Sequence, residues 1–167
     1  MTDAEGLFIA YRDRVFRYFC RAIGADSAGD LTQEVFLRAT RSPAPHIGDG
    51  RAWIFRVARN LALDYQRHRR RHPEAALPAA DPGRPPQQDV SAAVNEALAA
   101  LPDVDRDVFL MRELGGLSYQ EIAIACDLTP DAVRSRIHRT RLQLRNALAS
   151  PISAWRTAAP RPVTQKA

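Results

Sequence analysis

The chain has 167 residues, enough for one domain or two small ones, and its hydrophobic fraction of 46% is sufficient for a buried core. Only 8 glycines and a 7% aromatic content favour helices over strands. The net charge is +5, and every basic residue except Lys166 is an arginine, whose planar donors suit phosphates and guanine edges. No run resembles a signal peptide or approaches the ~20 apolar residues of a membrane span. The two cysteines, Cys20 and Cys126, lack metal-ligand spacing. Composition therefore predicts a cytoplasmic protein without membrane insertion, metal or cofactor.

Three helices are predicted in the first 72 residues. The first runs from Ala4 to Ile23, where Gly24 ends it, and the second begins at Ser27 or Asp30 and ends at Thr40. The second has a polar face formed by Asp30, Gln33, Glu34 and Arg38, which solvent exposure alone would explain. The loop 41–50 is rich in proline and glycine and cannot be helical throughout.

The third predicted helix runs from Arg51 to about Arg71 and interleaves arginines with Trp53, Phe55 and Tyr65. This combination suits a nucleic-acid surface, on which bases stack and phosphates pair with guanidinium groups. Arginines near the end of a helix also favour its dipole, so part of this run has a structural explanation.

A proline-rich segment, 73–90, has no apolar periodicity and predicts an extended linker between two separate domains. Two helices, 91–101 and 103–114, are predicted to support the stretch 117–148 in the second domain. After Pro151 no pattern remains, and we expect the tail 151–167 to be disordered.

The stretch 117–148 has the pattern of a helix-turn-helix. Ser118 and Glu121 form a capping box for a short helix, and Thr129 caps a second helix that has Pro130 at its first position. The inward face of this second helix is predicted to comprise Val133, Ile137, Thr140, Leu144 and Ala147. The opposite face comprises Asp131, Ser135, His138 and Arg139, flanked by Arg134, Arg136 and Arg141. An amphipathic helical hairpin with a solvated basic face would give the same pattern.

Charge is distributed unevenly along the chain. Eight arginines lie between residues 41 and 72 and five between 129 and 150, whereas the stretch 101–128 has six acidic residues against two arginines. Two separate basic regions predict two contacts on one polyanion.

Three blocks together resemble the extracytoplasmic-function (ECF) sigma factors of bacterial RNA polymerase: DLTQEVFLRAT (30–40), RAWIFRVARNLALDYQRHRRR (51–71) and the stretch 101–145. The resemblance implies an all-α fold of two small helical domains joined by a flexible Pro-rich linker, the second with a helix-turn-helix. It also implies a non-enzymatic role in promoter recognition and transcription initiation.

The resemblance further implies a task for each segment. Domain 1–72 would bind core polymerase and melt the −10 element, linker 73–90 would run toward the RNA exit path, and domain 91–150 would read the −35 element. The residues implied are Asp30, Gln33 and Glu34 for polymerase binding, Trp53, Arg56, Arg59 and Asn60 for the −10 element, and Thr129, Arg134, Ser135, His138, Arg139 and Arg141 for the −35 element.

Core RNA polymerase, through its clamp and flap regions, and promoter DNA are the implied partners, and an anti-sigma factor is a further one that the sequence does not specify. A stand-alone helix-turn-helix regulator is the alternative, but it leaves the first 72 residues without a task. An enzyme is a weaker alternative, since Asp64 and His68 resemble a ligand pair yet lie among arginines that would form salt bridges with them.

Overall fold

The computed structural model describes residues 4–41, 50–73 and 87–157. This part of the chain contains seven helices and no strand, which confirms the all-α prediction. The helices are α1 (Ala4–Ala22), α2 (Ala25–Arg41), α3 (Gly50–Arg71), α4 (Gln87–Ala99), α5 (Asp103–Glu113), α6 (Tyr119–Cys126) and α7 (Pro130–Thr157).

Two helices extend beyond their predicted limits. α4 begins at Gln87, inside the predicted linker, and the rest of that linker, 74–86, lies outside the described residues. α7 continues through Pro151 to Thr157, so the prediction of a disordered tail from residue 151 is corrected. A proline inside a helix is costly but not prohibitive, and Ile152–Arg156 has no residue that breaks a helix. Residues 158–167 lie outside the described part.

The N-terminal domain is a three-helix unit in which α1 packs against α2 and α3. Its core contains the fully buried Val15, Tyr18, Phe19, Val35 and Phe55. Tyr18 makes edge-to-face contacts with both Phe19 and Phe55 at centroid distances of 5.6 and 5.9 Å. Such geometry adds to the energy of burial, and it fixes the angle at which α1 and α3 meet.

The helix-turn-helix is capped as the sequence predicts. Ser118 Oγ accepts a hydrogen bond from the Glu121 N–H at 3.2 Å, and Glu121 Oε2 accepts one from the Ser118 N–H at 2.7 Å. Asp127 ends α6 in the left-handed conformation, with φ 55°. Thr129 Oγ1 then accepts a hydrogen bond from the Ala132 N–H at 3.2 Å and starts α7. These bonds satisfy backbone groups that a short helix leaves unpaired, and they set the angle between α6 and α7.

The inward face of α7 is shorter than predicted. Val133, Ile137 and Thr140 are buried, but Leu144 is only half-buried and Ala147 is exposed. The stripe ends there because the second half of α7 extends past the helices against which it packs, α4, α5 and α6. Ala147 is therefore not a core residue, contrary to the prediction.

The two helical domains lie side by side, whereas the sequence predicts that they are separate. α3 packs along α6, α1 contacts α4 and α5, and the buried side chains form one continuous core. At Gly115, an added Cβ would lie 2.9 Å from Phe55 Cζ and 2.6 Å from the Met111 carbonyl oxygen. Glycine is required there because a side chain would collide with α3 and with the end of α5.

The buried Thr140 hydroxyl has no hydrogen-bond partner among the described residues. Since an unpaired buried hydroxyl costs about 1–3 kcal/mol, Thr140→Val should raise the free energy of unfolding by about 1 kcal/mol. Chemical denaturation would measure this. Thr32→Val is the matched control, because the equally buried Thr32 hydroxyl donates to the Ala28 carbonyl at 2.7 Å and its removal should not stabilise the chain. Equal effects of the two substitutions would contradict this account.

Candidate nucleic-acid interface

The exposed face of α7 carries three polar side chains that are available to bind a ligand. Ser135, His138 and Arg139 are exposed and form no hydrogen bond or ion pair with another described residue. They lie opposite the buried Val133 and Ile137, as predicted. The capped helix thus presents a polar face whose donors remain available for base edges or phosphates.

The flanking arginines of α7 are partly engaged. Arg134 lies 3.5 Å from Asp131 and 5.6 Å from the centre of the Tyr119 ring, and both Arg134 and Asp131 are well exposed. Arg136 pairs with the less exposed Asp105 at 2.6 Å, and its side chain helps to fasten α7 to α5. Arg134 can therefore change partners easily, whereas Arg136 is structural.

Arg141 pairs with Glu113 of α5 at 2.6 Å, an exposed contact that holds its guanidinium against the protein. The hydrogen bond that Arg141 donates to the Glu113 carboxylate raises the pKa of Arg141 above its usual range. Thr129 has its hydroxyl occupied as the helix cap. Of the residues predicted for the −35 element, these two have the strongest structural roles.

The predicted −10 residues lie on α3, and two of the four are held by the second domain. Arg56 pairs with Asp127 at 2.7 Å, and Arg59 pairs with Asp107 at 3.1 Å. Trp53 is half-buried, whereas Asn60 is exposed. Most of the predicted loop 41–50, namely residues 42–49, lies outside the described part of the chain.

Every acidic residue of the stretch 101–128 is paired with an arginine. Within the second domain Arg106 pairs with Asp103, Arg136 with Asp105, and Arg141 with Glu113. Four arginines of α3 cross the domain boundary: Arg51 to Glu121, Arg56 to Asp127, Arg59 to Asp107 and Arg70 to Asp103. The sequence shows the opposite charges of the two segments, but it does not show that they face one another.

Asp107 is the most buried of these carboxylates, with only 2% of its side chain exposed. It accepts hydrogen bonds from the Tyr18 hydroxyl at 3.0 Å and from Arg59 Nε at 3.1 Å. Desolvation raises the pKa of Asp107, and Arg59 and Tyr18 oppose that shift only in part. Desolvation, together with the nearby Asp107 charge, also raises the pKa of Tyr18 well above its usual value. Tyr18 is therefore a neutral hydrogen-bond donor in this network.

Both cysteines, Cys20 and Cys126, are free thiols in the described part of the chain. The Cys126 thiol is buried 3.8 Å from the Met111 sulfur, and burial raises its pKa to about 12. Cys20 is likewise a free thiol, and no group of three or more potential metal ligands occurs in the described ranges. Because the thiolate is the reactive form of cysteine, Cys126 is inert near neutral pH.

The predicted polymerase-binding residues lie on one side of α2. Asp30 and Gln33 are exposed, and Glu34 pairs with Arg38 at 2.7 Å. Beside them is an apolar groove between α1 and α2, formed in part by Phe8 and Leu37, which are 40% and 49% exposed. The groove is not predictable from periodicity, because Phe8 lies beside Leu7 and Tyr11 in an apolar stripe of the first helix that is typical of core residues. The combination of exposed apolar side chains and a polar rim is typical of a protein-binding surface.

Two family models match the chain, Sigma-70 region 2 over residues 7–72 and Sigma-70, region 4 over residues 91–144. The RNA polymerase sigma-H factor of Pseudomonas aeruginosa is 30% identical, and the match covers 85% of this chain and 84% of that protein. The ECF RNA polymerase sigma factor SigC of Mycobacterium tuberculosis is 31% identical, with 82% and 78% covered. The chain belongs to the ECF family of RNA polymerase sigma factors.

A further relative of this ECF sigma factor is SigE of Mycolicibacterium smegmatis, which is 38% identical over 162 residues; the match covers 89% of this chain and 63% of SigE. Two solved complexes share the fold. The sigma factor RpoE bound to the anti-sigma factor NepR from Bartonella quintana matches with 20% identity and a TM-score of 0.65, covering 89% of this chain and 98% of RpoE. CnrH bound to the cytosolic domain of CnrY matches with 24% identity and a TM-score of 0.68, covering 88% of each chain.

The Sigma-70 region 2 match covers residues 7–72, a segment for which a stand-alone helix-turn-helix regulator offers no explanation. The named relatives are transcription initiation factors. Within the described residues, no helix is both long enough and apolar enough to cross a membrane.

Proposed function

We propose that this ECF sigma factor directs core RNA polymerase, in the cytoplasm, to promoters whose −35 element is read by α7 and whose −10 element is captured by α3. The observation that carries this proposal is the exposed face of α7, where Ser135, His138 and Arg139 have no partner in the described part of the chain and lie on a helix with a capped N-terminus. In a helix-turn-helix the second helix enters the major groove by its N-terminal turns, so these side chains meet base edges. Arg134 and Arg141, on the flanks, reach phosphates once they leave Asp131 and Glu113.

In this proposal, residues 1–72 bind polymerase and melt the −10 element, 73–90 link the domains, and 91–150 read the −35 element. On α3, Trp53 offers a face for an unstacked base, Asn60 offers an amide, and Arg56 and Arg59 offer phosphate contacts. Their position on one long helix supports a shared task. Separation of the two domains would release Arg56 from Asp127 and Arg59 from Asp107.

Polymerase binding is proposed for the surface around the α1–α2 groove. Asp30, Gln33 and Glu34 form its polar rim, while Phe8 and Leu37 supply the apolar centre. An apolar centre gives affinity by excluding water, and an acidic rim selects a basic partner surface such as a polymerase clamp. The flap of polymerase would be contacted by the second domain. That RpoE forms a complex with an anti-sigma factor supports such a factor as a further partner of this chain.

The function is tested with core RNA polymerase from the same organism. The sigma factor should bind core polymerase without DNA, and the reconstituted holoenzyme should give run-off transcripts from a subset of genomic fragments. Core polymerase alone is the control. Absence of binding to core polymerase, together with tight, sequence-specific binding of the free chain to duplex DNA, would instead support the stand-alone regulator.

Reversing one charge on the α2 rim should weaken holoenzyme assembly. Glu34→Lys would remove the partner of Arg38 and place a second cation beside it. Because the new lysine would also repel a basic polymerase surface, we expect about tenfold weaker affinity for core polymerase. Both side chains of this pair are well exposed, so the fold should be retained. Fluorescence anisotropy with labelled sigma factor measures the affinity. The matched control is Asp64→Lys, which reverses an exposed carboxylate on α3. Unchanged affinity of the Glu34 variant would exclude this surface.

A further inference from the structure

The basic face of α3 and the acidic face of the second domain are complementary. The Arg51 guanidinium donates two hydrogen bonds to Glu121, from Nε at 2.8 Å and from Nη2 at 2.6 Å. One Arg56 nitrogen contacts both Asp127 oxygens, at 2.7 and 2.8 Å. Charge-assisted, bidentate contacts of this kind resemble those that an arginine makes with a phosphate.

The pairs occupy successive turns of α3. Arg51, Arg56 and Arg59 cover its N-terminal half, and each meets a different carboxylate from α5, from α6 or from the residue that ends α6. Apolar packing accompanies the ion pairs, because Phe55 lies on the same stretch of α3 and contacts the end of α5 at Gly115. The contacts are thus distributed along the N-terminal half of α3 rather than confined to one point.

We call the chain closed when its two domains are packed together as in this structure. In the closed chain the two proposed DNA-reading surfaces, on α7 and on α3, differ in exposure. On α7, Ser135, His138 and Arg139 remain exposed and unpaired within the described residues. On α3, by contrast, Arg59 is paired with Asp107 and keeps only 15% of its side chain exposed, and Arg56, which is 43% exposed, is paired with Asp127. One surface is available while the other is occupied.

We propose that the second domain is an internal competitor for single-stranded nucleic acid: Glu121, Asp127 and Asp107 hold the arginines of α3 in the closed chain and keep them from DNA phosphates. This inference rests on the proposed −10 role of α3. The carboxylates act as phosphate mimics, and the domains must separate before α3 can bind a strand. Free sigma factor is thereby kept from binding single strands unproductively.

The test uses the full chain with two conservative substitutions. Glu121→Gln keeps the capping box, since glutamine also serves at that position, and Asp127→Asn keeps the left-handed turn, which asparagine tolerates. The matched control is Asp13→Asn with Asp64→Asn. It adds the same charge by neutralising two exposed carboxylates that contact only neighbouring arginines on their own helices. Circular dichroism establishes that both double variants are folded.

The readout is fluorescence anisotropy with a labelled dT15 strand. Loss of two partly exposed, charge-assisted pairs should raise the affinity of the Glu121/Asp127 double variant for dT15 about tenfold over wild type. The affinity of the control double variant for dT15 should rise less, because that variant gains only the effect of added positive charge. Adding Arg56→Gln to the Glu121/Asp127 variant should remove most of its gain, because the released face is then incomplete.

Three outcomes would overturn the proposal: equal gains in the two double variants, a gain that survives Arg56→Gln, or no dT15 binding by any variant. Small-angle X-ray scattering gives an independent check, since the wild-type chain should scatter as one compact body, and two separated lobes would also overturn the proposal. Failure of this proposal can be distinguished from failure of the proposed function. The proposed function is tested by binding to core polymerase and by run-off transcription, and neither measurement uses dT15.

Discussion

Arg139→Ala should lower transcription from promoters with the preferred −35 element by about 5- to 150-fold, the equivalent of a lost base contact worth about 1–3 kcal/mol. Arg139 lies in the third turn of α7 and is exposed, and it has no partner in the described residues that would compete for its guanidinium. Its donors are therefore available for a guanine edge at little cost. The loss should be much smaller on promoters altered at −35, because the contact is already absent there.

The matched control is Arg145→Ala. Arg145 is likewise exposed and has no partner among the residues that the structure describes, but it lies nearly two turns further along α7, where a helix inserted by its N-terminus leaves the groove. Arg145→Ala should lower transcription from all promoters about equally and reduce the salt dependence of DNA binding by roughly one counterion. The measurement is run-off transcription by holoenzyme on promoters that differ only at −35. A uniform loss with Arg139→Ala, or changed sequence preference with Arg145→Ala, would mean that α7 lies differently in the groove.

Local structure was predictable because its causes are local. The capping box at Ser118 and the cap at Thr129 each depend on residues three positions apart, and the structure has both of them. The face of Ser135, His138 and Arg139 followed from helical periodicity once Val133 and Ile137 were placed in the core. The end of that core at Leu144 did not follow, because it depends on how far α5 and α6 reach along α7.

Contacts between the domains were not predictable from periodicity or propensity. Arg59 and Asp107 are 48 residues apart in sequence, and Tyr18 and Asp107 are 89 apart. The charge pattern shows that segments 41–72 and 101–128 carry opposite charges, but it does not say that they meet or through which residues. For the same reason Arg56 and Arg59 were assigned to DNA without regard to the carboxylates that compete for them.

Asp107→Ala should lower the free energy of unfolding by about 3–5 kcal/mol, because removing one member of a buried charged network leaves its partners uncompensated. The fully buried Tyr18 hydroxyl would lose its acceptor, and the nearly buried Arg59 would lose its counter-charge. Urea denaturation measures the change. Asp64→Ala, which breaks an exposed pair with Arg67, should cost no more than about 1 kcal/mol. Adding Tyr18→Phe to the Asp107 variant should recover part of the loss, because it removes one of the unpaired groups.

The pH dependence of this loss separates burial from ion pairing. Desolvation raises the pKa of Asp107 above its ordinary value of 3.8, so the native state binds a proton that the unfolded state releases. The contribution of Asp107 to stability is then greatest in acid and falls as the pH rises through the raised pKa. The difference in stability between the wild type and Asp107→Ala should therefore widen as the pH is lowered from neutrality toward 3.8. A difference that narrows over this range would show that Arg59 outweighs desolvation and holds the pKa down, and that the network is stabilised chiefly by its charges.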